Sequence, residues 1–240
     1  MIYGFIICAG KQSRFESDIP KALMPINGKP LLDINIDNMS KYCDVVYIVC
    51  SKDNKKYFKN YSNLIVIESG FGSGDAVLKA INDVFVKDEV NILDSCFIQW
   101  GDSLQKEEIY KYCIDNYKGI TLIPCVKEEK PYVQIIQKDK DHVNVLFSKF
   151  GDSITNGYHD LCLFYCNAAV LHLYLKDFYD LIYNKETKSF THKHNNEMEF
   201  LDVFNDVKLP AQIIEVPNYK SFSFNTVNQY KELVGGNNEI

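Results

Sequence analysis

The sequence has 240 residues, a net charge of −6 and 46% hydrophobic residues. A chain of this length can bury a substantial core, and we predict one large α/β domain over residues 1–240 rather than two small ones. The acidic balance argues against non-specific binding to nucleic acid or to a membrane surface, because both need a basic excess. Any anionic ligand would therefore have to be held by a few local cations.

The cysteine pattern and the first apolar run bear on the compartment. Residues 2–8 are too short to span a bilayer and lack the flanks of a signal peptide, so the sequence predicts a cytoplasmic protein. Most of the eight cysteines lie in apolar runs, where we expect reduced, buried thiols. Cys162 and Cys166 could form half of a zinc site, but apolar residues separate them and no second pair follows.

A basic, glycine-containing loop follows the first predicted strand. Residues 2–8 lead into Ala9 and Gly10, then into residues 11–14, which include a lysine and an arginine, and Lys21 follows. At the carboxyl end of a strand in an open α/β sheet, backbone N–H groups and fixed cations converge on anionic ligands. The loop therefore predicts a site for the polyphosphate of a nucleotide.

Strand and helix patterns alternate along the first half of the chain. A helical pattern starts after Pro30, and β-branched runs at residues 44–50 and 63–69 enclose a polar surface helix. This order predicts right-handed crossovers and a parallel sheet. Further along, apolar segments on both sides of residues 137–142 predict a β-hairpin.

A strand followed by a long amphipathic helix is predicted near residues 160–185. Its predicted inner face carries Leu171, Leu175, Phe178, Leu181 and Ile182. The polar stretch at residues 186–197 lacks periodicity and predicts a mobile loop. That loop contains His192 and His194, for which solvated surface positions are the favoured interpretation and a contact with a metal or an acceptor is the alternative.

The string ICAGKQSRFESDIPKALMPINGKPLL resembles the signature of the sugar-nucleotide pyrophosphorylases and related cytidylyltransferases, which runs A-G-x-G-x-R, P-K-x-L and G-x-P-L. Arg14 and Lys21 fall at the family spacing, as do Gly28 and Pro30, whereas Gln12 replaces the second glycine of the loop. The resemblance implies a Rossmann-like α/β fold of the nucleotide-diphospho-sugar transferase type. Such a fold has a mixed, mostly parallel sheet flanked by helices and a small acceptor-side β-hairpin region.

The resemblance also divides the chain into a nucleotide-binding half, residues 1–118, and an acceptor-binding half, residues 119–240. Gly72 and Ser73 resemble a G-T-x-x-A motif that touches the base and ribose, although a plain tight turn is the alternative. The residues implied to bind the nucleotide are Cys8, Ala9, Gly10, Lys11, Gln12, Ser13, Arg14, Lys21, Gly72, Ser73 and Asp102. Among them, Arg14, Lys21 and Asp102 are implied to be catalytic.

Asp102 follows the apolar run of residues 95–100, so we expect it at the same crevice as the first loop. In the family this aspartate binds Mg²⁺, and the resemblance makes Asn225 the second metal ligand. Magnesium accepts one or two carboxylates together with phosphate oxygens and waters, so a single placed carboxylate is a sufficient anchor. The alternatives are helix N-caps, with Asp102 capping a helix near Gln105 and Asn225 capping the last helix.

The resemblance places the acceptor contacts on the hairpin and on a later segment. Tyr132 and Lys149 take the family's acceptor positions, while Ser148 replaces the glutamate that often precedes the lysine. Glu199 lies in a stretch that resembles the segment lining the acceptor pocket. A lysine at a solvated strand end is the alternative for Lys149.

The reaction implied by the resemblance joins a nucleoside triphosphate to a phosphorylated small molecule and releases pyrophosphate, with Mg²⁺ as cofactor. CTP and phosphoglutamine, as in capsule or surface-polysaccharide precursor synthesis, are the expected substrates. A hexose-1-phosphate uridylyl- or thymidylyltransferase and a non-catalytic nucleotide-binding regulator are the alternatives. We expect a monomer or homodimer, and we expect a nucleotidyltransferase domain without a hexapeptide-repeat domain.

Overall fold

The computed structural model describes residues 1–10, 15, 17–68, 71–87, 91–192, 196–220, 222–224 and 226–235. The helices in these ranges are α1 (Leu31–Met39), α2 (Lys55–Phe58), α3 (Ser73–Lys87), α4 (Glu107–Asn116), α5 (Ala168–Ile182), α6 (Asp202–Asp206) and α7 (Val227–Gly235). The strands are β1 (Ile2–Ile7), β2 (Pro25–Ile26), β3 (Lys29–Pro30), β4 (Val45–Ser51), β5 (Leu64–Ile67), β6 (Ser95–Trp100), β7 (Ser103–Leu104), β8 (Thr121–Glu128), β9 (Val133–Gln137), β10 (Val143–Phe147), β11 (Gly157–Asp160), β12 (Leu163–Asn167), β13 (Tyr183–Asn184), β14 (Ser189–Phe190), β15 (Ala211–Glu215) and β16 (Phe222–Ser223).

The first half of the chain builds a parallel sheet. β1 pairs in parallel with β4 on one side and with β6 on the other, and β4 pairs in parallel with β5. The apolar runs of these strands are continuous because helices cover both faces of the sheet. The predicted strand–helix alternation and its parallel pairing are confirmed.

Antiparallel pairs extend this sheet in the second half. β12 lies antiparallel to β6, β8 pairs with both β11 and β12, and β9 forms the predicted hairpin with β10. β15 returns from near the end of the chain to run parallel to β8. The result is one mixed sheet of ten strands within the described residues, which confirms the predicted fold class.

Two apolar layers enclose the sheet. Neighbouring residues of a strand point to opposite faces, so Phe5 of β1 packs with α3 and α5 while Ile6 packs with α1 and α4. The same split separates Ile98 from Phe97 on β6. Because both layers pack against the central strands, the loops at the carboxyl ends of these strands are attached to a rigid sheet.

The second half departs from prediction at two places. Leu181 is 64% exposed, because the buried positions of α5 follow the steps of three and four residues that end at Ile182, and Leu181 lies about 100° away from them. The predicted loop after α5 also carries structure: β13 and β14 pair, and Phe190 is buried against Tyr179. The expectation of a mobile loop is therefore wrong for this hairpin.

All eight cysteines lie in described ranges and none forms a disulfide. Seven are buried and Cys162 is half-buried, which confirms the expectation of buried thiols. Burial raises the pKa of Cys43 to about 12 and that of Cys50 to about 11, so these thiols stay protonated at neutral pH. None of the helices in the described ranges is both long enough and apolar enough to cross a membrane.

Candidate active site

A cavity of about 600 Å³ opens where β1, β5 and β6 end. Every predicted site residue that the structure describes lines it: Cys8, Ala9, Gly10, Lys21, Gly72, Ser73, Asp102, Tyr132, Lys149 and Glu199. The predictions for Lys11, Gln12, Ser13, Arg14, Asn225 and His194 fall on residues outside the described ranges. The cavity is thus shared by residues from both predicted halves of the chain.

Lys21 and Asp102 meet at one end of the cavity. Lys21 opens a short 3₁₀ turn, Lys21–Leu23, and its side chain is only 7% exposed. Its Nζ lies 3.2 Å from Oδ2 of Asp102 and 5.8 Å from the ring centre of Phe15. The Asp102 side chain remains 37% exposed, so the pair presents a cation and a carboxylate to the same space.

Asp102 does not cap a helix. The residue before α4 is Lys106, and β7 separates Asp102 from that helix by pairing with β16. The N-cap interpretation of Asp102 is therefore wrong, because the chain makes a turn and a short strand before α4 starts. Asp102 instead projects from the turn that follows β6.

The turn after β6 is pressed against the end of β1. The N–H of Gly101 donates to the carbonyl of Ile7 at 2.9 Å. A Cβ at Gly101 would come within 2.4 Å of Sγ of Cys8 and 3.0 Å of the Ile7 carbonyl oxygen. Only glycine allows this approach, which sets the loop after β1 beside Asp102.

The donors at this end suit a hard divalent cation. The buried thiol of Cys8 lies near Asp102, and desolvation, followed by the negative charge of Asp102, raises its pKa far above the usual value. A protonated thiol is a poor metal ligand and a poor nucleophile. The carboxylate of Asp102 is the better candidate ligand at this position, since a carboxylate oxygen fits Mg²⁺, and its metal-binding role stays a prediction.

The turn that begins α3 is joined to residues 197–200, which we call the acceptor segment after the role predicted for Glu199. Gly72 has φ +98°, and a Cβ there would lie 2.4 Å from the carbonyl oxygen of Met198. That carbonyl accepts a hydrogen bond from the N–H of Gly74 at 2.7 Å, and the Met198 N–H donates to Phe71 at 2.9 Å. Two stretches more than a hundred residues apart are thus in backbone contact.

Lys149 and Glu199 form the other charged pair of the cavity. Lys149 follows β10 in the 3₁₀ turn Ser148–Phe150, and its Nζ lies 2.7 Å from Oε1 of Glu199 and 4.6 Å from the ring centre of Phe150. Tyr132, at the start of the hairpin, lines the same end, and its carbonyl accepts a hydrogen bond from the Ser148 hydroxyl at 2.9 Å. Lys149 is an exposed residue that carries this ion pair, so its acceptor-binding role stays a prediction and the solvated lysine stays the alternative.

Sequence reasoning missed several lining residues, among them Phe71, Trp100, His159, Asp160 and Glu197. Asp160 is buried at the end of β11, where desolvation raises the pKa of its carboxyl group. The polar His159–Asp160 pair directly before the apolar run of residues 161–166 was the signal available for it. The aromatic residues gave no signal, because aromatic side chains are frequent in ordinary cores.

His192 is buried rather than solvated. Its ring lies between two carboxylates of α6, with Nε2 2.8 Å from Oδ2 of Asp206 and Nδ1 3.5 Å from Oδ2 of Asp202. These three side chains offer ligand atoms within 4.8 Å of one another, but none of the three lines the cavity. The prediction of a surface histidine is wrong for His192, because α6 folds over it.

The last helix carries a different cap from the one considered in the sequence. The hydroxyl of Thr226 accepts a hydrogen bond from the N–H of Gln229 at 3.2 Å, so Thr226 caps α7. Ser223 and Phe224, just before it, line the cavity. The start of α7 is therefore close to the site, and the metal-binding role of Asn225 stays a prediction.

Residues 4–117 match a family model described as a MobA-like NTP transferase domain. The bifunctional protein GlmU of Methanococcus maripaludis strain C7 is 33% identical over 117 residues, which cover 45% of this chain and 28% of that protein. The GlmU protein of Methanocaldococcus jannaschii is 28% identical over 152 residues, which cover 60% of this chain and 35% of that protein. The chain thus spans about a third of the length of the curated relatives it matches.

A solved structure from Bacillus anthracis, assigned as a glucose-1-phosphate thymidylyltransferase and bound to sucrose, matches with a TM-score of 0.74 and 13% identity over 100% of this chain and 96% of that chain. The CTP:phosphocholine cytidylyltransferase of Streptococcus pneumoniae matches with a TM-score of 0.65 and 13% identity over 98% of both chains. At these identities the likeness establishes the fold. The comparisons lead to one conclusion: residues 4–117, just under half of this chain, match the MobA-like NTP transferase family, and the chain as a whole has the fold of the nucleotide-diphospho-sugar transferases.

Proposed function

We propose that the protein is a nucleotidyltransferase that joins a nucleoside triphosphate to a phosphorylated small molecule. The observation that carries the proposal is the arrangement of one cavity, with Lys21 and Asp102 at one end and Lys149 and Glu199 at the other. An oxygen of the acceptor phosphate attacks the α-phosphorus, a new P–O bond forms, and the bond to the β-phosphate breaks. Pyrophosphate leaves with the electron pair of that bond.

The chemistry needs charge neutralisation and positioning rather than a general base. An acceptor phosphate is already ionised near neutral pH, so no proton has to be removed from the nucleophile. In the proposal, the Lys21 ammonium neutralises charge that develops on the triphosphate, and Arg14 assists it. The buried position of Lys21 strengthens this interaction, because less water screens it.

Asp102 and Asn225 are proposed to hold Mg²⁺. When bound by these residues, Mg²⁺ would supply positive charge that offsets the negative charge of the reacting phosphates. The hard carboxylate of Asp102 and the protonated thiol beside it support the choice of this ion. Asp102 also orients Lys21, because the two groups are 3.2 Å apart.

The acceptor is proposed to bind between Tyr132, Lys149 and Glu199. Lys149 provides the cation for the acceptor phosphate, and the adjacent Glu199 carboxylate complements an amine or hydroxyl group. Phosphoglutamine, which carries a phosphate and an ammonium group, fits this pair. We therefore propose CTP and phosphoglutamine as substrates, in capsule or surface-polysaccharide precursor synthesis, with residues 1–118 holding the nucleotide and 119–240 the acceptor.

The CTP proposal is supported by the fold likeness to the pneumococcal CTP:phosphocholine enzyme. A second candidate is a hexose-1-phosphate uridylyl- or thymidylyltransferase, which the likeness to the Bacillus anthracis protein favours. The base of the nucleotide separates the two candidates. Their acceptors differ as well, since a sugar carries hydroxyl groups and no ammonium group.

The test incubates the full chain and MgCl₂ with each common NTP and a panel of acceptors that includes phosphoglutamine, phosphocholine and hexose 1-phosphates, and follows pyrophosphate. We expect release with CTP and phosphoglutamine, and loss of release when EDTA removes the divalent ion. Release with UTP or dTTP and a hexose 1-phosphate would support the second candidate. Nucleotide binding without pyrophosphate from any pair would replace the enzyme proposal with that of a nucleotide-binding regulator.

A further inference from the structure

The hydroxyl of Ser73 faces the acceptor segment although Ser73 belongs to the nucleotide-side turn. Its Oγ lies 3.1 Å from Oε2 of Glu199 and 2.9 Å from the backbone nitrogen of Phe200. The residues of each contact are 126 and 127 positions apart in the chain. Ser73 is thus a side-chain link between the two ends of the cavity.

The chemistry of the two contacts fixes the direction of both hydrogen bonds. The Phe200 N–H can only donate, so the Ser73 oxygen accepts from it. A serine hydroxyl has one proton, and an ionised carboxylate can only accept, so the Ser73 hydroxyl donates its hydrogen bond to Glu199. No hydroxyl proton is then left for a base or ribose oxygen.

Glu199 is consequently held from both sides. Its Oε2 accepts the hydrogen bond from the Ser73 hydroxyl, while its Oε1 lies 2.7 Å from Nζ of Lys149. A carboxylate fixed by two partners keeps one orientation, whereas one held only by a half-exposed lysine can rotate about its side-chain bonds. The direction of Glu199 therefore depends on a residue at the start of α3.

We propose that Ser73 is a positioning residue for the acceptor: its hydroxyl orients Glu199 and does not read the nucleotide. The proposal rests on the proposed function and deepens it, because it assigns acceptor selectivity to a turn that sequence reasoning gave to the nucleotide. Nucleotide contacts of this turn then come from its main chain. The backbone bonds between Gly74 and Met198 and between Met198 and Phe71 keep the acceptor segment in register with the Ser73 hydroxyl.

Kinetics of Ser73→Ala, Ser73→Thr and the control Ser189→Ala test the proposal. The hydroxyl of Ser189 contacts that of Thr187 and lies away from the cavity. Losing a hydrogen bond to a charged group predicts that Ser73→Ala raises the acceptor KM by about tenfold, with the nucleotide KM changed by less than about twofold. Ser73→Thr, which keeps the hydroxyl, and Ser189→Ala should both retain the wild-type acceptor KM.

A double variant and two crystal structures complete the design. Because both changes act through one carboxylate, Ser73→Ala combined with Glu199→Gln should raise the acceptor KM no more than Glu199→Gln alone. A rise in the nucleotide KM of Ser73→Ala, or additive effects in the double variant, would overturn the proposal. If the wild type releases no pyrophosphate, the proposed function fails, but crystal structures still test the inference. The Glu199 side chain should change its orientation in Ser73→Ala and keep it in Ser73→Thr. An unchanged Glu199 side chain in Ser73→Ala would refute the inference.

Discussion

Replacing Lys21 by methionine should separate activity from stability. At an effective dielectric constant of about 20, unit charges about 3 Å apart attract by about 5 kcal/mol, and partial exposure of the site reduces this to about 3 kcal/mol, or about a hundredfold in rate. The spacing taken here is that of a direct contact between the Lys21 ammonium and a phosphate oxygen, similar to the 3.2 Å between this ammonium and Asp102, and the Lys21 side chain is only 7% exposed. Methionine fills similar space without the desolvation penalty of a buried ammonium, and the 37% exposed Asp102 carboxylate stays hydrated without its partner, so the Tm should stay within about 3 °C of the wild type or rise.

The measurements are pyrophosphate release and a thermal melt followed by circular dichroism. Lys111→Met is the matched control, because Lys111 pairs with Asp115 at 2.6 Å on α4 and both side chains are more than half exposed. That variant should keep wild-type turnover. Turnover of Lys21→Met within about tenfold of the wild type would refute the role of its charge, since one transition-state contact is worth more.

Three other variants or conditions give sharp outcomes. Asp102→Asn should lower pyrophosphate release by at least about a hundredfold and weaken the dependence on MgCl₂ concentration, and near-normal turnover would remove the metal proposal. In urea unfolding, Gly119→Ala should lower the free energy of unfolding by about 1–2 kcal/mol, because its positive φ disfavours a side chain. Gly72→Ala should lower it further, because the new Cβ also meets the backbone of the acceptor segment. Equal losses in the two variants would contradict that contact. Burial raises the pKa of Cys50 to about 11 and that of Cys43 to about 12, whereas thiols of the unfolded chain ionise near pH 9. The free energy of unfolding should therefore be constant below about pH 8 and fall as the pH rises from 9 to 12. Denaturation curves at pH 7, 9 and 10.5 measure this, and an unchanged free energy of unfolding would contradict it.

The parallel half of the fold was predictable because its signals are local. Each of β1, β4 and β5 is a continuous apolar run separated from the next by a helical pattern, and short crossovers leave few ways to connect them. The pairing of β15 with β8 was not predictable, because those strands are some ninety residues apart and the hydrophobic pattern of a strand does not indicate which strand it pairs with. The exposure of Leu181 likewise depends on helix phase, which a list of apolar residues leaves open.

The site was predictable where a motif fixed a residue at the end of a strand. Lys21 and Asp102 are 81 residues apart, yet both motifs end at the same edge of the sheet, and the structure brings their side chains together. The contact between Ser73 and Glu199 had no such signal, because it depends on how the acceptor segment folds over the turn before α3. His192 shows the same limit: its polar surroundings in sequence suggested solvent, and α6 buries it.

The spacing between the end of β1 and the Asp102 carboxylate depends on the absence of a side chain at Gly101. Gly101 lets the ends of β1 and β6 come into contact, and even the methyl group of an alanine at this position would push against Cys8 like a wedge. Such a wedge would widen the opening and draw the ammonium and carboxylate groups apart while leaving both residues intact. Inactivating substitutions are therefore to be expected at a position that itself has no chemistry to contribute.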